Sequence, residues 1–146
     1  MVLANELVGK YPDEMRAWAL RAQLHTLARD YAKANSDLDS AIGINEADPY
    51  LYFLRGLNHL ALGGWETAAE DFTRGLRLRD PACQKAFRFA RAEALIGLGR
   101  KREAMVDVAT LPGGYKLWTN RLRTKAELVS EFAPDDKALG AARPTN

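Results

Sequence analysis

Cysteine and histidine are scarce in this sequence. Cys83 is the only cysteine among the 146 residues, so a disulfide within the chain and a CxxC metal site are both excluded. His25 and His59 are the only histidines, and two imidazoles by themselves leave a zinc site incomplete. We therefore expect no metal ion and no cofactor.

Long apolar runs and a strong charge imbalance are also missing. No run approaches the roughly 20 apolar residues that cross a membrane, and residues 1–6 lack the basic segment and apolar core of a signal peptide. Lysine and arginine number 21 against 19 aspartate and glutamate, a net charge of +2, so nothing requires a nucleic acid or an acidic membrane. We expect a cytoplasmic protein without a membrane span, and we do not expect it to bind nucleic acid.

The residue patterns of common enzymes are absent from the sequence. It contains no glycine-rich phosphate loop after a strand, no nucleophile elbow, and no pair of carboxylates framed by apolar residues. The glycine pairs Gly63-Gly64 and Gly113-Gly114 fit helix ends instead. We therefore predict that the chain is not an enzyme.

What the sequence does contain is a central unit, residues 49–81. A helix-spaced apolar set in residues 50–62 is followed by Gly63-Gly64, where glycine tolerates the left-handed backbone of a helix end. A second helix-spaced set in residues 65–78 ends at Asp80-Pro81, since proline cannot continue a helix. The unit predicts two packed helices joined by a tight turn.

Copies of this unit lie on both sides of it. One copy precedes the central unit, and a third copy follows it at a slightly longer spacing, with the extra residues in the linker after Pro81. Equivalent positions include Trp18 and Tyr52; Arg21, Arg55 and Arg91; His25 and His59; Ala34, Ala68 and Ala104; and Gly63 and Gly99. The chain is therefore predicted to be a short array of helix pairs.

A helix-turn-helix period of about 34 residues with these landmarks resembles the tetratricopeptide repeat, or TPR. The central copy matches best, through the motif Tyr52-x2-Arg55-Gly56-x2-His59, then Ala68-x3-Phe72, then Pro81. Arginine replaces the usual leucine in all three copies, and histidine replaces tyrosine in two. The resemblance covers about residues 13–109 and implies an all-α, TPR-like solenoid of about three repeats.

We predict a single TPR-like domain over residues 1–133. Within it, residues 1–12 form a partial repeat or cap, residues 13–48, 49–82 and 83–112 form the three repeats, and residues 115–132 form a C-terminal capping helix. Residues 133–146 are expected to be a flexible tail. The final helix could alternatively dock in the groove of its own array or of a second molecule. The partial repeat leaves it open whether the chain is a fragment of a longer protein.

The resemblance also implies a concave, partner-binding groove lined by the first helix of each pair. The partner-binding residues that we predict in this groove are Tyr50, Phe53, Leu57, Leu60, Phe89, Glu93, Ile96, Arg16 and Gln23. Its middle is strongly apolar, and apolar patches beyond a few hundred Å² seldom stay open to water. We therefore expect this surface to be covered.

Three covers are compatible with the sequence: a helix or apolar segment of a partner, the chain's own C-terminal helix, or a homodimer mate. The same residues could also be core, if the small array curves tightly or the groove is misphased. We predict a non-catalytic protein–protein interaction module that binds a peptide or helix. The alternatives are a homo-oligomerisation module and a regulatory or scaffold segment of a larger protein.

The repeated polar residues allow two interpretations. Stems of Arg21, Arg55 and Arg91 could cover apolar surface while each guanidinium stays wet or meets a carboxylate. The sharper interpretation is a ladder that reads an anionic partner such as a phosphopeptide. For His25 and His59 we expect a packing role, because no cysteine or carboxylate repeats beside them in the sequence.

Overall fold

The computed structural model describes residues 1–119 and 121–132, and the predicted tail, residues 133–146, lies outside the described residues. Within the described part, seven α-helices follow one another and a short β-hairpin and an eighth helix complete the fold. Their bounds are α1 Val2–Lys10, α2 Met15–Leu27, α3 Tyr31–Ile44, α4 Pro49–Ala61, α5 Trp65–Arg77, α6 Gln84–Gly97, α7 Lys101–Ala109, β1 Lys116–Trp118, β2 Leu122–Thr124 and α8 Lys125–Ser130.

The helices pack in successive pairs, each against its neighbours along the chain. Helix α2 pairs with α3, α4 with α5, and α6 with α7, while α1 packs on α2. Gly63 and Gly99 end the first helices of the second and third pairs with φ of +74°, the left-handed backbone that glycine adopts without strain. The prediction of an all-α, TPR-like solenoid is thereby confirmed.

The interior of the array is aromatic. Rings of Phe53, Phe72 and Phe87 lie with centroids 5.4–6.2 Å apart, in the tilted and edge-on geometries that aromatic pairs favour. Two glycines make room for them: a Cβ on Gly56 would stand 2.4 Å from the Phe72 ring, and one on Gly75 would stand 2.1 Å from the Phe87 ring. Gly56, the small residue of the central repeat motif, is therefore required by packing.

The C-terminal part differs from the single helix predicted for residues 115–132. Strands β1 and β2 pair antiparallel, with Trp118 opposite Leu122, and only residues 125–130 are helical. Helix α8 begins at a capping box, in which Thr124 Oγ1 accepts from the Glu127 amide and Glu127 Oε2 accepts from the Thr124 amide. Such a box starts a helix, which explains why the helix begins here rather than at Tyr115.

The sequence predicts no membrane span, and the lengths and hydropathies of the helices can be compared with that prediction. Across residues 1–119 and 121–132, none of the helices is both long enough and apolar enough to span a membrane.

Candidate partner-binding groove

A polar ladder ties the two helices of each pair together. Arg21, Arg55 and Arg91 each donate two hydrogen bonds to the two carboxylate oxygens of an aspartate 16 residues further on, at 2.5–2.9 Å. The acceptors are Asp37, Asp71 and Asp107, and all three are buried. Fork-to-fork pairing of this kind is the strongest geometry for an arginine–carboxylate pair.

The same arginines also reach back to the preceding helix pair. Nη1 of Arg55 donates to Asp39 at 2.7 Å, while the equivalent atoms of Arg21 and Arg91 donate to Asn5 and Thr73 at 3.4 and 3.2 Å. Asn5, Asp39 and Thr73 themselves occupy equivalent positions in successive units. The hydrogen bond with Asp71 raises the pKa of Arg55 above its ordinary value. The guanidinium groups are thus engaged inside the array, which supports the structural interpretation of the ladder over the anion-reading one.

The histidines belong to this polar layer. Nε2 of His25 lies 3.8 Å from Asp37, and Nε2 of His59 lies 3.9 Å from Asp71. On its other side, His59 Nδ1 lies 3.4 Å from the Asn35 amide nitrogen. Each imidazole therefore lies beside the aspartate of its own helix pair, and His59 also contacts Asn35 of the preceding pair. In the part of the chain that the structure describes, no group of three or more His, Cys, Asp or Glu side chains is arranged to hold a metal ion.

The far end of the predicted groove, on α6, is closed. Phe89 is fully buried and its ring lies 5.7 Å from that of Tyr115. Glu93 is 6% exposed and accepts a hydrogen bond from Arg123 at 3.2 Å. The cover is the chain's own C-terminal segment, which we define as residues 115–119 and 121–132. Of the three covers considered for the groove, the chain's own C-terminal segment is the one that packs on Phe89 and Glu93 of α6.

The middle of the predicted groove is mostly interior. Leu60 is buried, while Phe53, Leu57 and Ile96 are half-buried and pack against the main core. Phe53 contacts Phe87 of the next helix pair at 5.4 Å between centroids. Phe53 thus faces the following repeat, and Leu57 and Ile96 pack against the core. The tightly packed array fills space that the sequence pattern assigned to a partner.

The near end of the groove is open. Between α2 and α4 lies a cavity of about 270 Å³, the α2–α4 groove, which is lined by Met15, Arg16, Ala19, Leu20, Gln23, Asp48, Tyr50 and Leu51. Of the predicted partner-binding residues, Arg16, Gln23 and Tyr50 come together here. Tyr50 is 48% exposed and Leu20 is 42% exposed, so an apolar contact surface faces solvent.

Leu20 is a groove residue that the sequence reasoning missed. A signal for it was present, because Leu20 is the repeat equivalent of Leu54 and lies one helical turn from Arg16. Its side chain is more exposed than those of most leucines in the array. Leu20 and Tyr50 together give the groove its apolar character.

A larger cavity of about 610 Å³ lies elsewhere, between α5 and α7. Its lining is charged, and part of that charge is already paired: Arg100 pairs with Glu66 and Glu103, and Arg91 pairs with Asp107. A charged lining of this kind is a poor match for an apolar peptide. The α2–α4 groove is the better candidate for a partner-binding site.

Comparisons with known proteins agree with this fold. No family model and no curated protein sequence matches the chain. Solved structures of MamA do match: MamA of AMB-1 at 20% identity with a TM-score of 0.66, covering 96% of this chain and 67% of that one. MamA of MSR-1 matches at 18% identity and a TM-score of 0.65, covering 90% and 66%. A further MamA structure matches at 14% identity and a TM-score of 0.67, covering 98% and 67%. At these identities the likeness concerns the helical repeat fold, and this chain spans about two thirds of the length of those proteins.

Proposed function

We propose that this protein is a non-catalytic interaction module that holds a helix or extended segment of a partner protein in the α2–α4 groove. The observation that carries the proposal is the exposed apolar surface of Leu20 and Tyr50 beside an open cavity. Burying such side chains is worth about 1.5–3 kcal/mol each. Large aromatic side chains in desolvated pockets dominate many protein interfaces.

The other candidate binding surfaces of the array are already engaged within the fold. Arg21, Arg55 and Arg91 are held by aspartates within the fold, and the far end of the groove is covered by the C-terminal segment. Within residues 1–119 and 121–132, the near end therefore presents apolar surface that no other element covers. Arg16, which is exposed at the edge of this groove, would contribute a positive charge to the rim.

The alternative is that a second copy of the chain fills the same groove. Exposed apolar surface serves a homo-oligomer as well as a foreign partner, and Leu20 and Tyr50 would be buried in either case. The cytoplasmic location and the role of a larger parent protein stay predictions from the sequence.

The test uses Leu20→Glu with Leu62→Glu as the matched control. Both leucines are exposed, but Leu62 ends α4 and does not line the groove. Immobilised wild-type chain and both variants are used to capture proteins from a cell extract, and each purified chain is followed by light scattering over a concentration series.

We expect Leu20→Glu to lose the proteins that wild type and Leu62→Glu retain, while all three chains stay monomeric. A wild-type dimer that only Leu20→Glu dissociates would favour the second copy instead. If all three chains capture the same proteins, the α2–α4 groove is not the binding site.

A further inference from the structure

A buried ion pair joins the C-terminal segment to the groove. Glu93 occupies the same repeat position on α6 as Gln23 on α2 and Leu57 on α4. It is the predicted groove residue that carries a negative charge, and it pairs with Arg123 of β2 at 3.2 Å. Both side chains are more than nine-tenths buried, so their charges are removed from water.

This pair is incomplete on both sides. Glu93 Oε2 and Arg123 Nε are buried, and neither has a hydrogen-bond partner within residues 1–119 and 121–132. A buried ion pair stabilises a fold only when its remaining donors and acceptors are also satisfied. Each ladder aspartate meets that condition by using both oxygens at short distances, whereas Glu93 uses one.

Arg123 also binds a second carboxylate, which belongs to the C-terminal segment and not to the groove. Arg123 Nη2 donates to Glu131 of the same segment, so the guanidinium is shared between the groove and the segment itself. A guanidinium free of that second partner could turn its planar fork fully toward Glu93. Two parallel hydrogen bonds would then satisfy both carboxylate oxygens.

Only one side of the C-terminal segment is held by the array. Tyr115 lies on Phe89, and Leu128 is fully buried. The opposite side leaves Trp118, Leu122 and Val129 largely exposed. That held side packs on α6 and α7, where Tyr115, Leu117, Leu128 and Phe132 join the main core. One of the principal polar contacts of the segment is the incomplete pair.

We propose that the C-terminal segment is a displaceable internal ligand of the groove. It occupies a site on α6 for a partner segment that carries an arginine close to an aromatic residue. The arginine of that partner binds both oxygens of Glu93, and its aromatic ring replaces Tyr115 against Phe89. This inference rests on the proposed partner-binding function. It adds a second subsite to the groove, formed by Phe89 and Glu93, and it makes the C-terminal segment a competitor of the partner at that subsite.

Charge complementarity selects this occupant over other peptides. A buried carboxylate rejects acidic and neutral side chains, because leaving its charge unpaired away from water is costly. Arginine is favoured over lysine, since its planar fork matches two oxygens at once. Phe89 offers a ring face or edge for aromatic contact once Tyr115 has left.

The experiment uses the full chain and a labelled synthetic peptide with the sequence of residues 113–132. Its binding by fluorescence anisotropy is compared for wild type and for Arg123→Gln, which removes the internal arginine. The matched control is Arg121→Gln, because Arg121 is exposed and lies two residues away on the same hairpin. A second peptide carries glutamine in place of its own Arg123.

We expect the arginine peptide to bind Arg123→Gln about tenfold or more tightly than it binds wild type or Arg121→Gln, because the internal competitor is weakened. The glutamine peptide should bind Arg123→Gln about tenfold or more weakly than the arginine peptide. The double variant Glu93→Gln with Arg123→Gln should not distinguish the two peptides.

Equal binding of the peptide to wild type and Arg123→Gln overturns the proposal, as does equal binding of the two peptides. Amide hydrogen exchange of each variant checks the fold. If Arg123→Gln and Glu93→Gln both speed exchange in α2–α5 as much as in the C-terminal segment, that segment is an obligatory part of the fold and is not displaceable. If the peptide does not bind Arg123→Gln more tightly than wild type, but Leu20→Glu still loses captured proteins, then only this inference is wrong and the proposed function stands.

Discussion

The two ends of the groove occupy equivalent repeat positions, but an open cavity lies at the near end, where Ala19 is buried and Gln23 is half-buried. At the near end, Ala19 and Gln23 are followed by α4, which leaves a cavity beside them. At the far end, the equivalent residues are Phe89 and Glu93, and both are buried under the C-terminal segment. The repeat position therefore does not decide whether the groove is open there. The element that follows the repeat decides it.

Beneath this difference, the arginine–aspartate ladder is the same at both ends. Arg21 with Asp37 and Arg91 with Asp107 show the same two-bond pairing. The contrast therefore does not extend to the ladder, and three changes to the protein can break or sharpen it.

The largest expected effect comes from truncating an aromatic ring at each end. Phe89→Ala removes a fully buried ring and should lower the free energy of unfolding by about 3–5 kcal/mol, because it leaves a cavity. Tyr50→Ala removes a ring that is half in water and should cost about 1 kcal/mol or less. Urea denaturation followed by circular dichroism measures both. Similar losses would mean that the near end is as closed as the far end.

The second effect tests whether the interior is uniform. Asp37→Asn and Asp107→Asn each remove the charge from a buried carboxylate, and each should cost roughly 3 kcal/mol. The control is Asp39→Asn, since Asp39 binds Arg55 from an exposed position and should cost well under about 1 kcal/mol. The same urea titration applies. A loss at Asp107 that far exceeds the loss at Asp37 would show that the two ends differ inside as well.

The smallest expected effect is a pH dependence of the first helical turn, in α3 near one end of the groove and in α8 near the other. Hydrogen bonds from the Thr124 amide and hydroxyl lower the pKa of Glu127 below its ordinary value of 4.5. A carboxyl whose pKa is lowered by folding stabilises fully above the unfolded value, and this stabilisation is lost as the pH falls through the folded value. Helix α8 should therefore loosen below pH 4.5. The Lys33 ammonium lowers the pKa of Asp30 in the same sense at the start of α3.

Cα chemical shifts of α8 and of the first turn of α3, recorded across an acid titration, measure this effect. Glu127→Gln should flatten the titration of α8 and leave α3 unchanged, while Asp30→Asn should do the reverse. A loss of both helix starts at one midpoint in wild type would point to cooperative unfolding of the whole chain instead.

The repeat array could be predicted from the sequence because each local signal agrees with the same architecture. The regular repeat spacing, the Gly63-Gly64 break and small residues such as Gly56 are all imposed by the packing of one helix pair. These constraints act within a single unit, and the chain repeats the unit. Period and turn residues therefore carry the information.

The C-terminal segment could not be predicted by the same reasoning. Trp118 and Leu122 are four residues apart, which places them on one face of a helix, but residues four apart also stand opposite each other across this tight hairpin. The spacing by itself cannot separate the two. The capping box of Thr124 and Glu127 was the readable signal, and it places the start of α8 correctly.

The groove was only partly predictable, for a related reason. Tyr50, Arg16 and Gln23 do line the open end, but Phe53 is packed against the next helix pair and Phe89 lies under the C-terminal segment. Helical periodicity fixes which face a residue occupies. Helical periodicity does not determine which other part of the chain packs against that face.

The backward contacts of the arginine ladder bear on how such a chain can lengthen. Each unit supplies an arginine that needs an acceptor in the unit before it, and an acceptor, such as Asp39 or Thr73, for the arginine of the unit after it. A duplicated unit inserted in frame would bring both halves of this contact with it. Duplication of the first or second unit would then create no unmatched junction, so the array could grow by either of these units without new mutations. The position equivalent to Thr73 in the next unit is Ala109, which offers no side-chain acceptor, so an added unit that follows it would first have to regain one.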